Sequence, residues 1–162
     1  MKNLDPNSKG LTRQRGLAVV EFAIMLPFLA LMALAVVELG RGMYQYNTLS
    51  KAVHDGARYL SDNAVNTIGE ININDALRLQ TQQVVVYGTI DTSGNKVLPD
   101  LTIADVDVTQ EFLPLFDGGV IDNHVRVTAR YTFTPLFPAL SVLGYSLIPD
   151  ITVTSVERAL KI

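Results

Sequence analysis

The sequence predicts an α+β protein: one long N-terminal helix, a second helix, and a three-stranded antiparallel sheet packed on the outer half of the long helix. Three observations carry that prediction. Residues 17–37 form an apolar run interrupted only by Glu21. Helical periodicity continues beyond that run, and three later segments are rich in β-branched residues, one of them alternating strictly.

The apolar run comes first. Leu17 to Val37 spans 21 residues, the length that ~30 Å of hydrocarbon requires of a helix. Lys2, Lys9, Arg13 and Arg15 oppose Asp5 ahead of it, so the leader carries 4 − 1 = +3, while the remaining 9 basic and 15 acidic residues give −6. The positive-inside rule then keeps the N-terminus cytoplasmic and exports the acidic body. This divides the chain into a basic leader 1–16, a transmembrane helix 17–39 and a periplasmic domain 40–162. A net negative body argues against nucleic acid, whose phosphates select basic surfaces. The chain has no cysteine, which removes disulfides, thiolate metal sites and thiol nucleophiles from consideration.

A removable secretory signal has a shorter apolar core and a small-x-small exit. The run here is longer and passes into "VVELGRGMYQYNTLSKAV" without such an exit. Leu39, Met43, Tyr46, Leu49, Val53, Ala57 and Leu60 continue at spacings of three and four, the stripe of an amphipathic helix. Gly40 and Gly42 each weaken that helix by ~1 kcal/mol relative to Ala, and Pro27 removes one backbone donor. The prediction is one long, locally bent helix from about Leu17 to about Tyr59, ended by the loop "SDNAVNTIGE".

In the exported domain, Asn74 is a candidate cap for a second helix bearing Ala76, Leu77, Leu79, Val84 and Tyr87, with Gly88 as its stop. The Val84-Val85-Val86 run is β-prone and leaves the end of that helix open. Strands follow at 101–112, 123–134 and 150–160. The middle one places Val125, Val127, Ala129, Tyr131 and Phe133 on one face and Arg126, Thr128, Arg130, Thr132 and Thr134 on the other. The apolar, proline-bearing segment 134–149 reads either as a loop covering the core or as an exposed patch for a neighbouring subunit.

No constellation of catalytic type emerges. Ser50 and His54 lie one helical turn apart, but Asp55 is adjacent to His54 in sequence and points elsewhere, so it does not orient the imidazole. Asp117, Asp122, Asn123 and His124 collect between strands; they lack the ligand alternation and terminal Glu of a calcium loop, and a polar hairpin turn is their ordinary explanation. Asp105, Asp107 and Glu111 read as a wet strand face. The residues call for no cofactor, no metal and no small-molecule substrate.

An ionised carboxylate in hydrocarbon costs ~2.5–3.5 kcal/mol on insertion scales, so Glu21 needs a reason. Its setting supplies one: "RQRGLAVVEF" has a basic flank, then Gly16, then an apolar residue, with Glu21 fifth after the glycine. This resembles the signal of type IV pilins and pseudopilins, which a prepilin peptidase cuts after the glycine. The longer stretch of residues 13–60 resembles the TadE-like family of pseudopilins from tight-adherence (Tad/Flp) pilus systems. The resemblance rests on Gly16, Glu21 and Phe22; Leu26 and Pro27; Glu38, Gly40 and Arg41; and Ala52, Gly56, Ala57, Arg58 and Tyr59. It implies a minor pseudopilin that acts in pilus assembly, adhesion and biofilm formation and is no enzyme. Gly16 and Leu17 would flank the processing site, with Glu21 and Phe22 serving assembly. The implied partners are the prepilin peptidase, the inner-membrane assembly platform, other pseudopilins, the major pilin and membrane lipid.

Cutting after Gly16 would leave an α-amino group on Leu17, one helical turn from Glu21, and pairing would offset the burial of both charges. Two other readings stay open. In one, the chain is an uncut membrane anchor for a periplasmic binding or enzymatic domain, with Glu21 snorkelling to the headgroups. In the other, an ordinary signal peptidase releases the domain beyond Val37.

Overall fold

The computed structural model describes residues 8–65, 70–113, 122–136 and 148–159. The chain forms two compact units, one comprising Met1–Gly40 with Pro135–Leu147 and the other Arg41–Thr134 with Ile148–Ile162. Residues 66–69 of the predicted loop, 117–121 of the polar turn and 137–147 of the proline-bearing segment lie outside the described residues.

The first helix, α1, runs Ser8–Asn63 with Pro27 inside it. It starts nine residues before the predicted Leu17. The leader segment "SKGLTRQR" contains no proline, and its one glycine costs only ~1 kcal/mol, so nothing in it forces a break. In the first unit α1 presents its apolar side chains to the surroundings: Leu17 is 70% exposed and Phe28 is 68% exposed. Over Gly16–Asn63 the helix is long and apolar enough to cross a membrane.

In the second unit, α1 contributes Leu49, Val53, Ala57 and Leu60 to the core, all fully buried. Here the structure corrects the predicted stripe. Leu49 onward faces inward as its spacing requires, but Met43 is 68% exposed, and Leu39 in the first unit and Tyr46 in the second are exposed too. The buried positions of the earlier turns are instead Glu38 in the first unit and Gly42 and Gln45 in the second. Hydropathy marks a helix face only where water is the alternative, and it misses a face chosen by close backbone approach.

The second helix, α2, spans Asp75–Tyr87. Asn74 Oδ1 accepts the Leu77 N–H at 2.8 Å, as a cap should. Gly88 closes the helix at φ +73°, in the left-handed region that lacks a Cβ penalty only for glycine. The β-prone valines remain helical, with Val85 and Val86 fully buried, while Leu77 and Thr81 complete the inward face. Leu79 lies outward. Tertiary burial outweighs the modest intrinsic helix penalty of valine here.

A 3-10 turn at Ile103–Asp105 precedes the sheet. Asp105 accepts from both the backbone and the hydroxyl of Thr102, so it caps that turn rather than joining the strand face. The strands are β1 (Val106–Leu113), β2 (Asp122–Tyr131) and β3 (Ile151–Arg158), antiparallel in the order β1-β2-β3. Val108 pairs with Val127, and Val127 in turn with Ser155. The predicted alternation of β2 holds: Val125, Val127, Ala129, Tyr131 and the following Phe133 are all buried. Val125, Val127, Ala129 and Tyr131, together with Val106, Val108, Ile151 and Val153, join residues of α1 and α2 in one core within this unit.

Candidate assembly site on the long helix

The candidate site residues fall in three groups along α1. The first is Gly16, Leu17, Glu21 and Phe22. All four are exposed, and a Cβ added at Gly16 would meet nothing within 4 Å. Leu17 and Glu21 stand four residues apart on one helix and so share a face. No described residue pairs with Glu21. Its carboxylate is therefore exposed near the start of an apolar surface, with Phe22 59% exposed beside it.

The second group lies near the end of the apolar run, where the two units must be taken separately. Within the first, Glu38 is 1% exposed, and its Oε1 accepts the Leu136 N–H at 3.0 Å. A buried carboxylate is tolerable only with donors of this kind. Within the second, Arg41 donates from Nη1 to Thr134 O at 2.9 Å, and its guanidinium lies 5.2 Å from the centroid of the Phe133 ring. Arg41 thus combines a charge-assisted hydrogen bond with a cation–π contact at the exit of β2.

Two positions of α1 in this second unit face inward although hydropathy does not mark them. A Cβ at Gly42 would collide with Ile148 Cδ1, whereas Gly40 has open space around it. Gln45, 4% exposed, donates Nε2–H to the Tyr131 hydroxyl at 3.5 Å, and no hydrogen bond reaches its Oε1 from the described residues. The available signal was the spacing of Gly42, Gln45 and Leu49, which places all three on one helical face. The phenol of Tyr131 is pushed above its ordinary range, first by burial and then by the negative charge of Asp100, with Arg41 opposing.

The third group explains the late glycine by packing. A Cβ at Gly56 would collide with Val85 Cγ2, so the glycine lets α2 lie against α1. Ala52 and Ala57 are buried beside it, and Tyr59 donates its hydroxyl to Gln80 Oε1 at 3.1 Å, a second tie to α2. Arg58 is exposed.

The remaining candidate constellations separate. His54 Nδ1 lies 3.2 Å from Glu157 Oε1 on β3, so its polar partner is on the sheet and not in its own helix. Glu111 is bound by the guanidinium of Arg126, with Nε donating to Oε2 at 2.7 Å. Among the described residues no three His, Cys, Asp or Glu side chains are grouped to hold a metal ion.

The fold defines a class: an α+β protein with one N-terminal helix of membrane-crossing length and a three-stranded antiparallel sheet. Residues 16–58 match the model of the TadE family, described as TadE-like protein. No curated protein and no solved structure matches the chain.

Proposed function

We propose that the protein is a minor pseudopilin of a Tad-type pilus, held by α1 in the inner membrane and processed after Gly16 by a prepilin peptidase. The basic leader stays cytoplasmic, the transmembrane helix is 17–39, and residues 40–162 are exported. The mature subunit joins or primes the pilus with the assembly platform, other pseudopilins and the major pilin. Adhesion and biofilm formation follow from the fibre and not from chemistry in this chain.

The observation that carries this reading is the outward-facing Glu21, four residues from Leu17 on one helix face and without a partner among the described residues. A new α-amino group on Leu17 supplies the cation that such a carboxylate needs, in the same or a neighbouring subunit. The TadE-like match over 16–58 supports it, since it begins at the glycine itself. The intact mass of the native protein tests the processing step. Loss of residues 1–16 is expected, and a full-length mass in the membrane fraction overturns the reading in favour of an uncut anchor.

A further inference from the structure

The exposed surface of α1 in the second unit changes character along its length. Its first two turns present Met43, Tyr44 and Tyr46, which are 68%, 69% and 51% exposed. From Asn47 to Asn63 every exposed position is polar, Lys51, His54, Asp55 and Arg58 among them. Tyr44 and Lys51 stand seven residues apart, two helical turns along one face, so the change occurs within a single stripe and not between two sides of the helix.

Before Asn47 the exposed positions continue the apolar run. From Phe22 to Tyr46 every exposed residue of α1 is uncharged, because Glu38 is buried in the first unit and Arg41 half-buried in the second. The other exposed apolar side chains described in the second unit, Leu79, Ile90 and Val156, stand singly on or after α2 and on β3, as is ordinary on a protein surface. Met43, Tyr44 and Tyr46 instead stand together on the helix that carries the apolar run. A tyrosine joins an apolar ring to a hydrogen-bonding tip, and it is enriched where hydrocarbon gives way to headgroups.

We propose that Met43, Tyr44 and Tyr46 lie in the lipid headgroup layer on the exported side of the membrane, so that the lipid-facing surface ends between Tyr46 and Asn47 and not at residue 39. The inference rests on the reading of 17–39 as a transmembrane helix and names what covers the face beyond it. Length agrees. At the helical rise Tyr44 follows Leu39 by about 7.5 Å of chain, and the headgroup region adds about 5–7 Å to each side of the hydrocarbon. Side chains on a helix lean toward its N-terminus, which brings the tyrosine rings back toward the hydrocarbon boundary, where ester carbonyls and phosphates accept from their hydroxyls. A lipid layer ends at a fixed depth, and a stripe that turns polar at Asn47 matches such an end.

The chain has no native tryptophan, which makes the test direct. The full chain is reconstituted in phosphatidylcholine vesicles with the single substitutions Phe28→Trp, Tyr44→Trp, Tyr46→Trp and Lys51→Trp. Tyr44→Trp and Tyr46→Trp should emit at shorter wavelength than Lys51→Trp, be quenched by lipids brominated near the headgroup end of the acyl chain, and resist aqueous iodide. Phe28→Trp should be quenched best by bromines near the chain ends, and Lys51→Trp by iodide. If iodide quenches both tyrosine variants as it does Lys51→Trp while Phe28→Trp stays deep, the proposal is overturned and the membrane helix stands. Iodide quenching of Phe28→Trp overturns both. Protection of Tyr44→Trp and Tyr46→Trp that fades as the protein is diluted into lipid assigns the face to a second copy and overturns the proposal as well.

Discussion

Arg41 and Phe133, ninety-two positions apart in sequence, meet with the guanidinium 5.2 Å from the ring centroid while the same side chain holds Thr134 O at 2.9 Å. A residue near the end of the apolar run thereby fixes where the chain leaves β2. Arg41→Ala should destabilise the protein by about 1–3 kcal/mol, the sum expected of one charge-assisted bond and a cation–π contact. Arg41→Lys should recover only part, since an ammonium lacks the planar fork. Denaturant unfolding of the full chain in micelles measures both, and equal stability of Arg41→Ala and the native chain would remove the contact from the account.

The two glycines predict opposite outcomes. Gly56→Ala puts a methyl group into Val85 and should cost about 1–3 kcal/mol through overpacking, more than the ~1 kcal/mol of helix propensity it gains. Gly40→Ala meets open space and should be neutral or stabilising by up to ~1 kcal/mol. Thermal unfolding of the pair separates packing from propensity.

The face of α1 can be checked in the same way. Leu49, fully buried, should lose about 2–5 kcal/mol on truncation to Ala. Met43, 68% exposed, should stay within about 0.5 kcal/mol of the native chain on the same change. Comparable losses at the two sites would restore the apolar stripe that spacing alone suggests.

Tyr131 sets an alkaline limit. Its folded pKa lies above the ordinary 10.0, so its contribution is fully present below about pH 10 and is lost as pH rises through the folded value. Tyr131→Phe should be less stable at neutral pH by about 1 kcal/mol, having lost the Gln45 bond. The gap between the two proteins should then narrow or reverse above pH 10. Unfolding midpoints measured from pH 7 to pH 11 report it, and parallel curves would remove Tyr131 from the titration.

Glu21 separates processing from assembly. Glu21→Ala should be cut as the native chain is, since the leader and Gly16 are unchanged, but should fail to support piliation when it is the sole copy. Intact mass reads the first step and pilus counts read the second; normal piliation by Glu21→Ala would sink the pairing idea.

The long apolar helix, the alternation of β2, the cap at Asn74 and the stop at Gly88 were legible in the sequence because each is a local pattern with a period or a fixed offset. The start of α1 at Ser8 was not, since the apolar run that marks the helix begins only at Leu17. The late-glycine motif could be seen in sequence but not explained: only the fold shows that Gly56 is the point where Val85 approaches.

By itself the sequence determined that an anchor-like helix precedes an α+β head, and that one carboxylate stands in the apolar run. Tertiary structure decided which face of α1 enters the core, placing Gly42 and Gln45 inward while leaving Met43 and Tyr46 out. It also decided that α2 covers the edge of β1. The physical reason is common to both: hydropathy and periodicity act between near neighbours along the chain. Close packing against Ile148 and hydrogen bonds to the carbonyls of Val106 and Val108 join residues that are neighbours only after folding.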